Sequence, residues 1–291
     1  MKPVIQSVAL PHGPRLQYVE QGERSGIPVV LLHGVTDSWR SFEPVLPHLP
    51  PSVRAFALTQ RGHGDAERPA AGYGPRDFAG DVAQFMDVLE ISSAVIVGHS
   101  MGSSIGQRFA LDHPERTLGL VLVGAFTSWT DSPSVMEFWE TAVSTLEDPV
   151  DPHLVREFQE STLRQPVPPG FIEMVVQESL KVPARVWRAV FKAFLEHDAS
   201  RELNRIEAPT LIVWGDQDPL SPRAAQHELL RAIAGSDLVV YEGAGHALHW
   251  EEAARFAADL VAFARSSSGA ALRSREASAA PVPHVTSPAA V

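Results

Sequence analysis

Apolar positions in this chain come in two rhythms. Six short continuous runs, at residues 28–32, 53–58, 94–97, 118–123, 210–214 and 238–241, consist mostly of Val, Leu, Ile, Ala or an aromatic residue. Runs of this length without a polar alternation are the pattern of strands buried on both faces of a parallel sheet. Between them, apolar residues recur at helical spacing. Over 76–90, for example, Phe78, Val82, Phe85, Met86 and Leu89 fall on one helical face. Further helices are predicted over 42–49, 103–112, 222–234 and 250–264. Two more strands, 4–10 and 15–19, flank the turn Pro11-His12-Gly13-Pro14 and predict a hairpin at the sheet edge. Strand alternating with helix predicts a doubly wound, mostly parallel α/β sheet of eight strands.

The alternation stops over 126–208. These 83 residues hold four helical patterns separated by prolines, at 134–146, 152–164, 171–180 and 186–196. The simplest organisation is one α/β core, residues 1–125 and 209–265, with a helical cap of residues 126–208 inserted after the sixth strand. After Arg265 the composition shifts: Ala, Ser and Pro fill 16 of the last 26 positions and aromatics vanish. Such a stretch buries too little apolar surface to offset its ordering entropy, so residues 266–291 are predicted to be a disordered tail.

Composition narrows the function by exclusion. There is no cysteine, which removes disulfides, thiolate metal ligands and a cysteine nucleophile. The formal net charge of −11 and the absence of a basic run argue against nucleic acid as a partner. The first twenty residues lack the apolar core of a secretion signal, and no run reaches the ~18 apolar residues of a membrane span, so a cytoplasmic protein with no membrane association is expected.

The chemistry gathers where the strand pattern ends. The run Val95-Ile96-Val97 stops at Gly98-His99-Ser100-Met101-Gly102, and a helical pattern follows. Strand, tight turn and helix give a G-x-S-x-G motif its meaning, because the turn lifts the serine hydroxyl clear of the sheet. The Met101 amide, at the helix N-terminus, then faces the place where a negative oxygen would develop. A serine hydroxyl needs a base, and the base needs an acid to orient it. Residues 211–218, Leu-Ile-Val-Trp-Gly-Asp-Gln-Asp, form a strand that ends in two candidate carboxylates, Asp216 and Asp218. Residues 239–241 lead into a Gly-flanked loop that carries His246. His246 and His249 stand three apart, but no further ligands accompany them, so no metal site is expected.

Taken together, LLHG at 31–34, GHSMG at 98–102, GDQD at 215–218 and GH at 245–246 make the chain resemble the α/β-hydrolase superfamily over about residues 4–264. It is most similar to the capped branch near small esterases, cofactor-free haloperoxidases and carbon–carbon bond hydrolases. The resemblance implies Ser100 as nucleophile, His246 as base and Asp218, rather than Asp216, as acid. It implies that the Val35 amide joins Met101 in the oxyanion hole, and that no cofactor is required. The expected substrate is a small ester or lactone with an apolar moiety. Phe126, Trp129, Phe138, Trp139 and Leu220 are candidates to line its pocket. His33 is a further pocket candidate, although its ring is expected to brace the loop.

The chain departs from its relatives at several places. Gln60 stands where they often have Asp before Arg61-Gly62-His63-Gly64, and Ser103 follows Gly102 where a second Gly or Ala is common. The loop at 35–39 lacks the proline of many haloperoxidase-like members, and His99 replaces the Asn of the carbon–carbon hydrolases. Carbon–carbon hydrolysis or perhydrolysis on the same triad is therefore the runner-up to ester hydrolysis. A low-turnover ligand-sensing protein that keeps the fold is the alternative outside enzymology.

Overall fold

The structure, a computed structural model, describes residues 3–279. Eight strands form one sheet: β1 (Ile5–Ala9), β2 (Arg15–Gln21), β3 (Ile27–Leu32), β4 (Val53–Thr59), β5 (Ala94–His99), β6 (Thr117–Val123), β7 (Thr210–Gly215) and β8 (Ser236–Tyr241). Their order is β1-β2-β4-β3-β5-β6-β7-β8. β2 runs antiparallel to both of its neighbours, and every other pairing is parallel.

Successive side chains of a strand point to opposite faces, and here each face finds its own core. Val30, Leu32 and Ile96 belong to one apolar cluster, whereas Val29, Leu31, Val95 and Val97 belong to the other. The first cluster is completed by α1 (Pro75–Val88), through Phe78, Val82, Phe85 and Met86, and by α2 (Met101–Asp112), through Ile105 and Phe109. The second is closed by Phe256, Leu260 and Ala264 of the last helix. With both faces covered, the inner strands carry apolar residues at nearly every position.

Between β6 and β7 lie α3 (Pro133–Phe138), a π-helical turn (Trp139–Val143), α4 (Pro152–Ser161), α5 (Phe171–Ser179) and α6 (Ala184–Leu195). This segment adds no strand to the sheet; its one β-contact is an isolated bridge between Ser128 and Asp198. After β7 come α7 (Arg223–Ala232), α8 (Leu248–Glu251) and α9 (Ala253–Ala279).

Two sequence expectations are corrected. Residues 42–49 are not a helix but two short 3-10 turns, Trp39–Phe42 and Leu46–His48. Pro44 and Pro47 remove amide donors, so an α-helical ladder cannot propagate through them. The tail does not begin at Ser266, because α9 continues to Ala279. Ala is the strongest helix former, and extending an existing helix costs no new nucleus. Ser267, only 2% exposed, also packs against Gly119 of β6 and ties the helix to the sheet. The expectation for residues 280–291 lies outside the described residues.

Candidate active site

The site is assembled at the carboxyl ends of the strands. β3 and β5 are neighbours in the sheet but lie on opposite sides of the point where strand order reverses, which opens a crevice at their tips. Leu32 pairs with Gly98, so the loop after Leu32 lies beside the turn that carries Ser100. Two glycines make that approach possible. A Cβ on Gly98 would stand 2.0 Å from the Gly102 carbonyl oxygen, and one on Gly102 would stand 2.2 Å from that of Leu32.

Ser100 adopts φ 53° and ψ −114°, a strained conformation for a residue with a side chain. Its amide donates to the Val123 carbonyl at 2.9 Å, and its own carbonyl accepts the Ser103 amide at 2.8 Å and hydroxyl at 2.6 Å. These bonds hold the turn closed over the strain. Ser103 thus has a structural use that Gly or Ala could not supply. Met101 opens α2, where a helix amide has no intrahelical acceptor. The Val35 amide, on the facing loop, also has no acceptor among the described residues.

Asp218 and His246 arrive from the tips of β7 and β8. His246 Nδ1 donates to Asp218 Oδ2 at 2.8 Å, and both side chains are almost fully buried. Asp218 Oδ1 accepts the amides of Leu220 (2.8 Å) and Ser221 (3.0 Å), while the Ser221 hydroxyl donates to Oδ2. Burial alone would raise the Asp218 pKa, but the His246 ring and the Ser221 hydrogen bonds outweigh it and hold the carboxyl below its ordinary value. Asp216 instead accepts the Gly243 amide at 2.7 Å and shapes the loop. His246 Nε2 is buried with no protein partner, and Ser100 and His246 line one small cavity of about 20 Å³. Gly124, at φ +53°, leaves room for the imidazole: a Cβ there would stand 2.9 Å from the ring.

A larger cavity of about 510 Å³ opens from Ser100 into the helical segment. Its inner wall is aromatic, and a tight pair within it is Phe138 stacked on Phe158 at 5.0 Å and 4°. Glu137, Glu157 and Arg164 stand on its exposed rim. Among the described residues, no group of three or more His, Asp or Glu side chains is arranged to hold a metal ion. No helix among them is long and apolar enough to cross a membrane.

A sequence model of the alpha/beta hydrolase family matches residues 29–259, most of the chain and all of this site. The protein belongs to the alpha/beta hydrolase family. The hydrolase is 30% identical to a 2-hydroxymuconate semialdehyde hydrolase of Pseudomonas sp., over 85% of this chain and 90% of the relative. It is 28% identical to a non-heme chloroperoxidase of Streptomyces lividans, over 89% and 99% of the two chains. Among solved structures it is similar to an esterase from Rhodococcus sp., with a TM-score of 0.80 and 26% identity over 90% of this chain and 98% of that one.

The pocket of this hydrolase differs from the sequence expectation in two residues. Phe126, Trp129, Phe138 and Leu220 line the large cavity, but Trp139 and His33 do not. Trp139 starts the π-helical turn, about 100° round the helix from Phe138, so it faces away. His33 is wholly buried under the loop. Its Nδ1 donates to the Gly34 carbonyl at 2.7 Å and its Nε2 accepts the Gln60 amide at 3.0 Å, which fixes one tautomer. The Gln60 side-chain amide in turn donates to the His33 carbonyl, a bond that the Asp common at this position could not make.

Sequence reasoning missed Leu154, Phe158 and Phe191 in the cavity wall. Helical phase could have placed Phe158 there, four residues after Leu154 on α4. It also missed a buried polar cluster behind Val35. Asp37, 3% exposed, accepts from the Gln159 side-chain amide at 3.1 Å and from the Ser41 hydroxyl at 3.4 Å. Burial outweighs these bonds and pushes the Asp37 pKa up to about 8. The His99 and His249 rings pack nearby, tilted by 51° with centroids 4.4 Å apart, and burial keeps both rings neutral.

Proposed function

We propose that this hydrolase cleaves a carboxylic ester or lactone with an apolar moiety, through an acyl-enzyme on Ser100. The observation that carries the reading is the Asp218–His246 pair, with His246 Nε2 left free on the small cavity that Ser100 also lines. His246 Nε2 takes the Ser100 proton as the hydroxyl oxygen attacks the acyl carbon. Negative charge builds on the carbonyl oxygen between the Val35 and Met101 amides, which are preorganised donors in a site shielded from water. The protonated ring then gives its proton to the leaving alcohol. In the second half, His246 activates water, which attacks the acyl-enzyme and frees Ser100. Asp218 holds the ring in the tautomer with Nδ1–H and stabilises it when charged.

The helical segment between β6 and β7 acts as the cap of this site. Its aromatic wall fits an apolar acyl or alcohol group, and the 510 Å³ cavity suits a small-molecule substrate. A second reading, carbon–carbon bond hydrolysis on the same residues, is favoured by the 30% identical relative, a hydrolase named for a semialdehyde, which has no ester bond to cleave.

A panel of p-nitrophenyl esters of increasing acyl length, with aryl and alkyl lactones, tests the proposal. Turnover that vanishes in Ser100→Ala and shows a chain-length optimum is the expected result. Wild-type turnover no greater than that of Ser100→Ala would remove ester hydrolysis and leave the carbon–carbon reading to be assayed.

A further inference from the structure

Thr36 follows directly on Val35 and has φ +71°. A β-branched residue in the left-handed region is a marked outlier, because its Cβ crowds its own backbone. Such a conformation persists only where surrounding contacts impose it. Here the contacts come from the helical segment rather than from the loop itself. The Gln159 side chain, on α4 and 1% exposed, brings Nε2 to 3.1 Å from Thr36 Oγ1, 3.1 Å from Asp37 Oδ1 and 2.9 Å from Ser179 Oγ. Thr36 Oγ1 and Ser179 Oγ, the latter at the end of α5, lie 3.0 Å apart. Two amide hydrogens from α4 thus face three buried oxygens, two on the loop after β3 and one at the end of α5. Asp37 completes the loop's own fastening, since its amide donates to the Gly34 carbonyl at 3.3 Å.

The same turn of α4 reaches the other half of the site. Thr162, just past the helix end, accepts the Ala247 amide at 3.2 Å, so the residue after His246 is tied to α4 as well. Phe158 and Ser161, on either side of Gln159, line the large cavity. One helical turn therefore touches the substrate space, the histidine loop and the loop that presents the Val35 amide.

From this geometry, and resting on the proposed ester hydrolysis, we infer that Gln159 is a positioning residue: it clamps Thr36 and Asp37 so that the Val35 amide points at the developing oxyanion. The clamp acts on the transition state. Ground-state binding in the aromatic cavity does not pass through it, so its loss appears in kcat and leaves KM nearly unchanged. An oxyanion donor removed outright costs on the order of 10²–10³ in rate, and a donor moved off its line costs part of that.

The test compares wild type with Gln159→Met, which keeps the side-chain length and cannot donate. The substrate is p-nitrophenyl butyrate, and the inhibitor is an alkyl trifluoromethyl ketone, which adds to Ser100 and places an oxyanion in the hole. The expected result is a fall in kcat of at least about tenfold, KM within about twofold, and a loss of ketone affinity parallel to that in kcat/KM. Thr36→Gly in the Gln159→Met background should recover part of the kcat, because glycine adopts a positive φ without a clamp. Unchanged kcat, or a rise in KM with no loss of ketone affinity, overturns the inference. If Gln159→Met does not fold, Ser179→Ala weakens the same clamp and is judged by the same split between kcat and KM. Failure of ester hydrolysis itself would already be visible in the wild type, before any clamp variant is made.

Discussion

His246 Nδ1 sits 2.8 Å from Asp218 Oδ2, while Asp218 Oδ1 is held by two backbone amides, those of Leu220 and Ser221. The carboxylate is therefore fixed before it orients the imidazole. Asp218→Asn keeps the size of the side chain but presents a neutral amide to the ring, and it no longer favours the Nδ1–H tautomer or the charged imidazolium. In triad enzymes this exchange costs on the order of 10⁴ in kcat. Steady-state kinetics on a p-nitrophenyl ester should show a loss of that order with little change in KM. A loss of less than tenfold would show that the pair does not act in the chemical step.

The aromatic wall should set acyl length. Phe158 lines the cavity and stacks on Phe138. Phe158→Leu removes part of that wall while keeping the position apolar. The optimum along a p-nitrophenyl ester series should move to longer acyl groups, with each methylene worth about 1–3 kcal/mol in kcat/KM. An unmoved optimum would place the acyl group elsewhere.

Much of this arrangement is legible in the sequence, for identifiable reasons. The inner strands are buried on both faces, so 94–97 and 210–214 read as continuous apolar runs, and each ends in a glycine-marked turn that carries a polar group. The chain order Ser100, Asp218, His246 could be read along the chain, and folding brings Asp218 and His246 into contact. The clamp could not be read in the same way. Gln159 lies 122 residues from Asp37, and on an amphipathic helix a glutamine looks like one more solvent-facing position. Its burial is decided by tertiary packing alone. Trp139 stands next to Phe138, and adjacent helical residues point about 100° apart, so only one of the two meets the cavity. Residues 266–279 are helical where composition suggests disorder, because composition speaks to apolar burial and says nothing of a helix already nucleated upstream.

Four buried histidines should make the protein sensitive to mild acid. Burial lowers the pKa of His63 to about 4 and of His249 to about 3, and keeps those of His33 and His99 well below the ordinary range. In the unfolded chain each titrates near ~6.5. Between that value and the lowered native value, the unfolded chain holds a proton that the native state lacks. Stability therefore falls as pH falls through this window, by up to about 1.4 kcal/mol per pH unit for each histidine. Denaturant unfolding between pH 7 and pH 5 should show the decline, and His249→Gln should make it shallower. An equal slope in the variant would mean that His249 is protonated in the native state.

Asp37 should act in the opposite direction. Its native pKa is raised to about 8, chiefly by burial, whereas an unfolded aspartate titrates near ~3.9. Between these values the native state keeps a proton that the unfolded chain has released. Each step up in pH through the window therefore favours unfolding, and the full cost is reached above the native pKa. Asp37→Asn carries no proton and escapes the effect. Its stability relative to wild type should be lowest near pH 5, rise steadily to pH 8 and level off beyond it. Unfolding free energies at pH 5, 6.5, 8 and 9 measure this difference directly. A difference that is flat across the series would show that Asp37 is already ionised in the native protein, and the Gln159 amide would then be holding a carboxylate.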